Sequence, residues 1–251
     1  MVYALGSVSD IVVVTTNAHY PPEAEKHPKV GDYFGVSVEK IVALSPTLVV
    51  LQRNNIALAQ KLRRLGIETL PIRLGSLEDI RRALTTLGAR LGHRARAARL
   101  NRTIDAALAS LKGIVQGKKV LIVFGSYAKL DKAIYAAGNN LYFADIIRAS
   151  GNRNAVTSGF DRQPVLDYES VLVTDPDIVY ILTHQRDTSE AARQKVLRPW
   201  RRVPVKAAKY GTIYLNTDSA ATIPGPRVVT FIEAFREILK DARTRFTETQ
   251  P

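Results

Sequence analysis

Catalysis needs a nucleophile, an acid–base pair or a metal, and the 251-residue sequence shows the signature of none of them. Cysteine is absent, which removes thiolate chemistry, disulfides and thiolate metal sites. His19, His27, His93 and His184 show no paired metal spacing, so a zinc or manganese site is not expected. No Gly-x-Ser-x-Gly elbow occurs. The stretch from Gly113 to Gly117, Lys118 and Lys119 has too few residues between its glycines for a phosphate loop, and it precedes a strand instead of following one. The expectation is a binding protein, not an enzyme. Ligands of α/β proteins sit in loops at the C-terminal ends of strands. That rule selects Asn17 after the first β-branched run, Tyr33 and Phe34 in the loop beyond it, and Gln52 and Arg53 after the run ending at Leu51. In the second half it selects Tyr127, Tyr135 and Asp218. Tyr33 and Tyr135, one from each half, would lay aromatic faces on a large flat ligand, and Arg53 would pair with an anionic group on it. Tyr20 before Pro21-Pro22 and Trp200 beside Pro199 read as packing residues.

The elements that must position these residues alternate between strand and helix, which predicts parallel sheets with crossover helices. Strands are predicted over residues 11–15, 48–51, 68–72, 119–124, 178–182 and 212–215. Helices are predicted over 37–44, 56–65, 76–88, 144–149, 168–173 and 227–242, with a polar, frayed tail after Arg245. Between the halves, apolar residues at helical spacing run from His93 to about Gln116 with little to stop them. A helix that long, about 36 Å, would serve as a strut. The domains expected are therefore a first lobe over 1–91, a bridging helix over 92–117 and a second lobe over 118–251.

A duplication supports two related lobes. Residues 37–50, SVEKIVALSPTLVV, can be laid over residues 167–180, DYESVLVTDPDIVY. In each copy a capped short helix carries a glutamate in its first turn, Glu39 or Glu169. A proline then ends the helix and a buried strand follows. Two matched carboxylates on separate bodies suit docking to a two-fold symmetric partner.

The apolar fraction of 46% and charged fraction of 24% are those of a globular protein. No stretch is apolar and long enough for a membrane span, and the start MVYALG lacks the basic region and apolar core of an export signal. The net charge of +13 raises nucleic-acid binding, but the basic residues are dispersed and no nucleic-acid motif accompanies them. No nucleic-acid partner is expected.

At these residues the sequence resembles the long-helix class of ABC-transporter substrate-binding proteins, the class III periplasmic binding proteins for cobalamin and iron–siderophore complexes. Residues 15–24, TTNAHYPPEA, and 28–33, PKVGDY, are similar to the first-lobe signature of the cobalamin branch. Residues 37–50 match the helix–proline–strand unit. Gly138 through Asp145 to Gly151-Asn152, then Pro199-Trp200 and Pro224-Gly225-Pro226, follow the second-lobe order. The resemblance implies two Rossmann-like lobes joined by a single long α-helix, with a ligand cleft between them. It implies a monomer that captures a corrinoid or ferric chelate, has no intrinsic cofactor, and delivers its ligand to an ABC permease dimer with its ATPase. Glu39 and Glu169 fall where relatives meet permease arginines. The resemblance puts Asn17, Tyr33, Gln52 and Tyr135 at ligand positions, with Ser219 where a tryptophan is expected; Phe34, Arg53, Tyr127 and Asp218 join the set by the strand-end rule. Two alternatives stay open. One is ferric siderophore or haem in place of cobalamin; the other is a truncated or cytoplasmic relative that keeps the fold without transport. The expected location is periplasmic, or extracellular and membrane-associated, given an upstream export signal, which this sequence does not show.

Overall fold

A computed structural model describes residues 1–32, 35–131, 133–156, 163–184, 187 and 189–248. In chain order the elements are α1 (Val2–Leu5), a 3-10 turn (Pro22–Lys26), α2 (Val38–Ala43), β1 (Leu48–Gln52), α3 (Ile56–Arg64), β2 (Glu68–Ile72), α4 (Leu77–Arg90) and α5 (Arg94–Ala109). There follow β3 (Lys119–Phe124), β4 (Ile134–Ala136), α6 (Tyr142–Ala149), β5 (Arg153–Asn154), β6 (Val165–Leu166), α7 (Tyr168–Thr174) and β7 (Ile178–Leu182). The chain ends through α8 (Glu190–Trp200), α9 (Lys206–Tyr210), β8 (Ile213–Asn216), a 3-10 turn (Ser219–Thr222) and α10 (Val228–Glu248). The fold is mixed α/β. Two compact units divide it: residues 1–74 with 79–100, and residues 75–78 with 101–251.

In the first unit β1 and β2 pair in parallel, Leu48 opposite Glu68 and Gln52 opposite Ile72. Val38, Ile41, Leu51, Ala59 and Leu62 form its core against the sheet. A second cluster joins Leu5 to Leu87 of α4 and Ala97 of α5. Those two helices approach closely at Gly88, where a Cβ would lie 2.5 Å from that of Ala97.

The second unit carries a six-stranded mixed sheet in the order β6-β4-β3-β7-β8, with β5 also on β3. β3, β7 and β8 run parallel, whereas β4 is antiparallel to both β3 and β6. Both faces are covered, as parallel strands require. Leu121, Val123, Val179 and Ile181 pack on one side with Val196, Leu197 and the fully buried Trp200. On the other, Phe124, Phe143, Tyr180, Phe231 and Phe235 form a continuous aromatic layer, with Phe143 and Phe231 at 5.0 Å and Tyr180 and Phe231 at 5.6 Å.

Three expectations are corrected. Residues 11–15 do not form a strand; only Val14 bridges to Lys29. Val14 N–H donates to the Pro28 carbonyl and Val30 N–H to the Val14 carbonyl, but the next donor back would be Pro28, which has no N–H. The helix expected from His93 to Gln116 stops at Ala109, giving 16 residues and a length of about 24 Å. Ser110 Oγ donates back to the Ala107 carbonyl, Leu111 N–H turns to Leu108, and Gly113 takes a left-handed φ of 75°. The closing helix, expected to end near Ala242, runs to Glu248, because Phe246 is buried and held against Tyr210 and Lys118. The short strands β4, β5 and β6 and the helices α8 and α9 were not foreseen.

Candidate functional site

The duplicated segment is where local sequence and local structure agree most closely. Ser37 caps α2 by accepting from Lys40 N–H at 3.2 Å, and Asp167 caps α7 by accepting from Ser170 N–H at 2.8 Å. Each helix ends on a left-handed residue, Ser45 at φ 44° and Asp175 at φ 39°. Among the described residues these are the only non-glycine positions with positive φ. A proline follows each, Pro46 or Pro176, and then β1 or β7. The αL residue turns the chain, and the proline makes resumption of the helix impossible. Glu39 and Glu169 are consequently exposed first-turn residues of two equivalent helices. The carboxyl of Glu39 is held below its ordinary range by its own backbone N–H, by the Ser37 hydroxyl at 3.1 Å and by the charge of Lys61.

In the first unit, Gln52 and Arg53 stand exposed at the C-terminal end of β1, and Arg53 N–H donates to the Ile72 carbonyl at 2.8 Å. Asn17 is exposed in a separate turn, closed by Ala18 N–H on the Thr15 carbonyl. No hydrogen bond joins Asn17 to Gln52 or Arg53 among the described residues. Tyr33 and Phe34 lie outside the described residues.

In the second unit the structure brings Tyr127 and Tyr135 together. Tyr127 Oη donates to the Phe124 carbonyl at 2.6 Å and accepts from Tyr135 N–H at 2.9 Å. Tyr127 thus ties β4 to the end of β3, and burial pushes its phenol pKa up. With its hydroxyl used twice, its role is to position Tyr135. Tyr135 pairs with Phe124 across the ladder, between the buried Ile134 and Ala136, and is 48% exposed. It is the aromatic face this unit offers. Asp218 is exposed but accepts from Ala220 N–H at 2.8 Å, so it shapes the 3-10 turn after β8.

Two neighbours were not anticipated. His184 follows β7, and its Nε2 lies 2.8 Å from Thr222 Oγ1 of that turn. Asn216, the last residue of β8, donates to Tyr180 Oη at 2.8 Å. The strand-end rule contained the signal for both, since each closes or follows a parallel strand. The C-terminal edge of this sheet therefore carries an exposed aromatic, an imidazole, a hydroxyl and a carboxylate. Such a row can stack on, and hydrogen-bond to, a large planar ligand. Among the described residues no three His, Asp or Glu side chains are grouped to hold a metal ion, and no helix is long and apolar enough to cross a membrane.

The chain is similar to known proteins in sequence and in fold. The model of the periplasmic binding protein family matches residues 1–220. The uncharacterized ABC transporter substrate-binding lipoprotein YvrC of Bacillus subtilis is 25% identical over 249 residues, covering 94% of this chain and 74% of that protein. The vitamin B12-binding protein of Salmonella typhi is 28% identical over 172 residues, covering 68% of this chain and 64% of the relative's length. Among solved structures, the periplasmic heme-binding protein HutB of Vibrio cholerae superposes with a TM-score of 0.76 at 20% identity, covering 95% of this chain and 93% of that one. With a family model matched over most of its length and the fold shared, the chain belongs to the periplasmic binding proteins, which are solute binders and not enzymes.

Proposed function

We propose that the chain is the capture component of an ABC importer, and that it binds a cobalamin-like corrinoid or a ferric chelate such as a siderophore or haem through strand-end residues of each unit. The observation that carries this reading is the C-terminal edge of the second sheet, where Tyr135 stands half exposed opposite the last residue of β3, and His184, Asp218 and Thr222 follow the ends of β7 and β8. A tetrapyrrole presents a flat apolar face rimmed by polar groups, and a catecholate chelate presents aromatic rings edged by oxygens; an aromatic with polar neighbours suits either. Gln52, Arg53 and Asn17 are the first unit's contribution, with Tyr33 and Phe34 in the sequence between Asn17 and Gln52. The names of the relatives point the same way, since they include binders of vitamin B12 and of haem. A permease dimer with its ATPase is the partner, met by Glu39 and Glu169, and the chain acts as a monomer outside the membrane.

Fluorescence titration tests the reading. Trp200 is the only tryptophan, and Tyr135 lies at the proposed contact. Cyanocobalamin, haem and a panel of ferric siderophores absorb strongly, so a bound ligand quenches both. One of these classes should quench saturably at stoichiometric amounts. Linear, non-saturating quenching by all of them would remove the capture function.

A further inference from the structure

The helix following β1 has an unusual outer face. α3 buries Ala59 and Leu62 and turns Ile56, Gln60, Lys61 and Arg64 outward. Ile56 is 62% exposed, and Leu65, just beyond the helix end, is 52% exposed. On the adjoining α2, Val42 is 42% exposed. Arg64 has no ion-pair partner among the described residues, and Lys61 lies close enough to Glu39 to act on its charge. The helix that follows the second copy of the repeat differs: α8 turns Lys195 and Arg198 outward but buries Val196, Leu197 and Trp200.

A merely solvated helix face would keep its large apolar side chains inside. Here the exposed cations Lys61 and Arg64 lie between the exposed apolar Ile56 and Leu65 along α3 and its C-terminal end. That is the composition suited to a bilayer interface, where Lys and Arg meet headgroup phosphates and apolar side chains enter the acyl boundary. We propose that the α2–α3 face of the first unit binds the surface of an anionic lipid bilayer. A fluid array of phosphates accommodates flexible cations that have no fixed mutual geometry. The net charge of +13 adds attraction at longer range. The inference rests on the chain working beside a membrane-embedded permease, and it would hold the protein at the surface where that partner is found.

Vesicle flotation tests it with neither ligand nor permease present, so its failure leaves the capture reading standing. The chain should float with phosphatidylcholine vesicles that contain phosphatidylglycerol and not with phosphatidylcholine alone, and added salt should release it. Lys61→Glu with Arg64→Glu should lower partitioning by about fivefold or more per position. Lys112→Glu with Arg243→Glu makes the same charge change at exposed positions elsewhere and should lower it much less. Circular dichroism confirms that the variants fold. Glu39→Lys should strengthen vesicle binding, since it removes the negative charge that acts with Lys61. Absence of binding to phosphatidylglycerol vesicles would overturn the proposal. So would equal losses in the two paired variants, which would reduce the effect to net charge. Retention by purified permease but not by vesicles would assign the face to a protein and overturn it as well.

Discussion

The hydroxyl of Tyr127 and the ring of Tyr135 divide one task. Tyr127 joins two strand ends through its two hydrogen bonds, and Tyr135 presents the surface that results. Tyr127→Phe should therefore destabilise the second unit by about 1–3 kcal/mol, since it leaves Tyr135 N–H and the Phe124 carbonyl without that partner. Tyr135→Ala should change stability by less than about 1 kcal/mol and weaken ligand binding by about tenfold. Thermal melts beside a ligand titration separate the two effects, and the opposite pattern would exchange their roles. Tyr180 offers a second test. Burial pushes its phenol from the ordinary 10.0 up to about 12. A raised folded-state pKa adds stability that is complete below pH 10.0 and is lost as pH rises through about 12, a loss of about 2–3 kcal/mol. Burial also pushes Tyr142 and Tyr214 up, so the decline continues at higher pH. Melting temperature followed with tyrosinate absorbance should show unfolding and ionisation together; ionisation of Tyr180 at its ordinary pH without loss of fold would contradict it. At this scale Gln52 and Asp218 do fall at the ends of strands that form, whereas the strand expected before Asn17 does not form and Tyr135 lies within β4. Whether a side chain is free or spent was not legible, because Asp218 caps a turn and Tyr127 bonds backbone, and neither bond leaves a mark in composition.

The repeat is the element-scale feature that survives translation from sequence to coordinates. Its glutamates, caps and prolines were all readable, because each has a local cause. What was not readable is that Ser45 and Asp175 would both take left-handed backbone, a conformation that strains any residue with a Cβ. They differ in compensation. Asp175 accepts from Lys206 N–H at 2.9 Å and pairs with Lys206 Nζ at 2.9 Å, whereas Ser45 offers the Val42 carbonyl one 3.3 Å hydrogen bond. Ser45→Gly should stabilise the first unit by up to about 1 kcal/mol. Asp175→Gly should instead leave the second unit no more stable, and less stable if the Lys206 contacts outweigh the strain relieved. Chemical denaturation of each variant decides; a destabilising Ser45→Gly would show that no strain resides there. Elements whose ends depend on distant partners were misread for a common reason. The helix ending at Ala109 is stopped by a serine back-bond and a glycine turn within an apparently helical pattern. The strand at residues 11–15 fails because its neighbour carries Pro28 where a donor is needed. β5 and β6, two residues each, are too short for any periodicity to show.

At the scale of the molecule, composition and alternation gave the α/β class, and the ordered motifs gave the family. The mixed character of the second sheet escaped, since β4 is only three residues long. The ligand's identity escaped too, because corrinoids, haem and ferric siderophores are all met by aromatic contact and a few polar groups, and the sequence offers both. The central claim is that cargo rests on strand C-terminal ends in both units. Hydrogen–deuterium exchange with and without the ligand found by titration tests it most directly. The predicted result is slower exchange at residues 52–55, 125–135, 183–184 and 216–222, with the opposite ends of the same strands unchanged. Protection confined to one unit, or at the N-terminal strand ends, would contradict it.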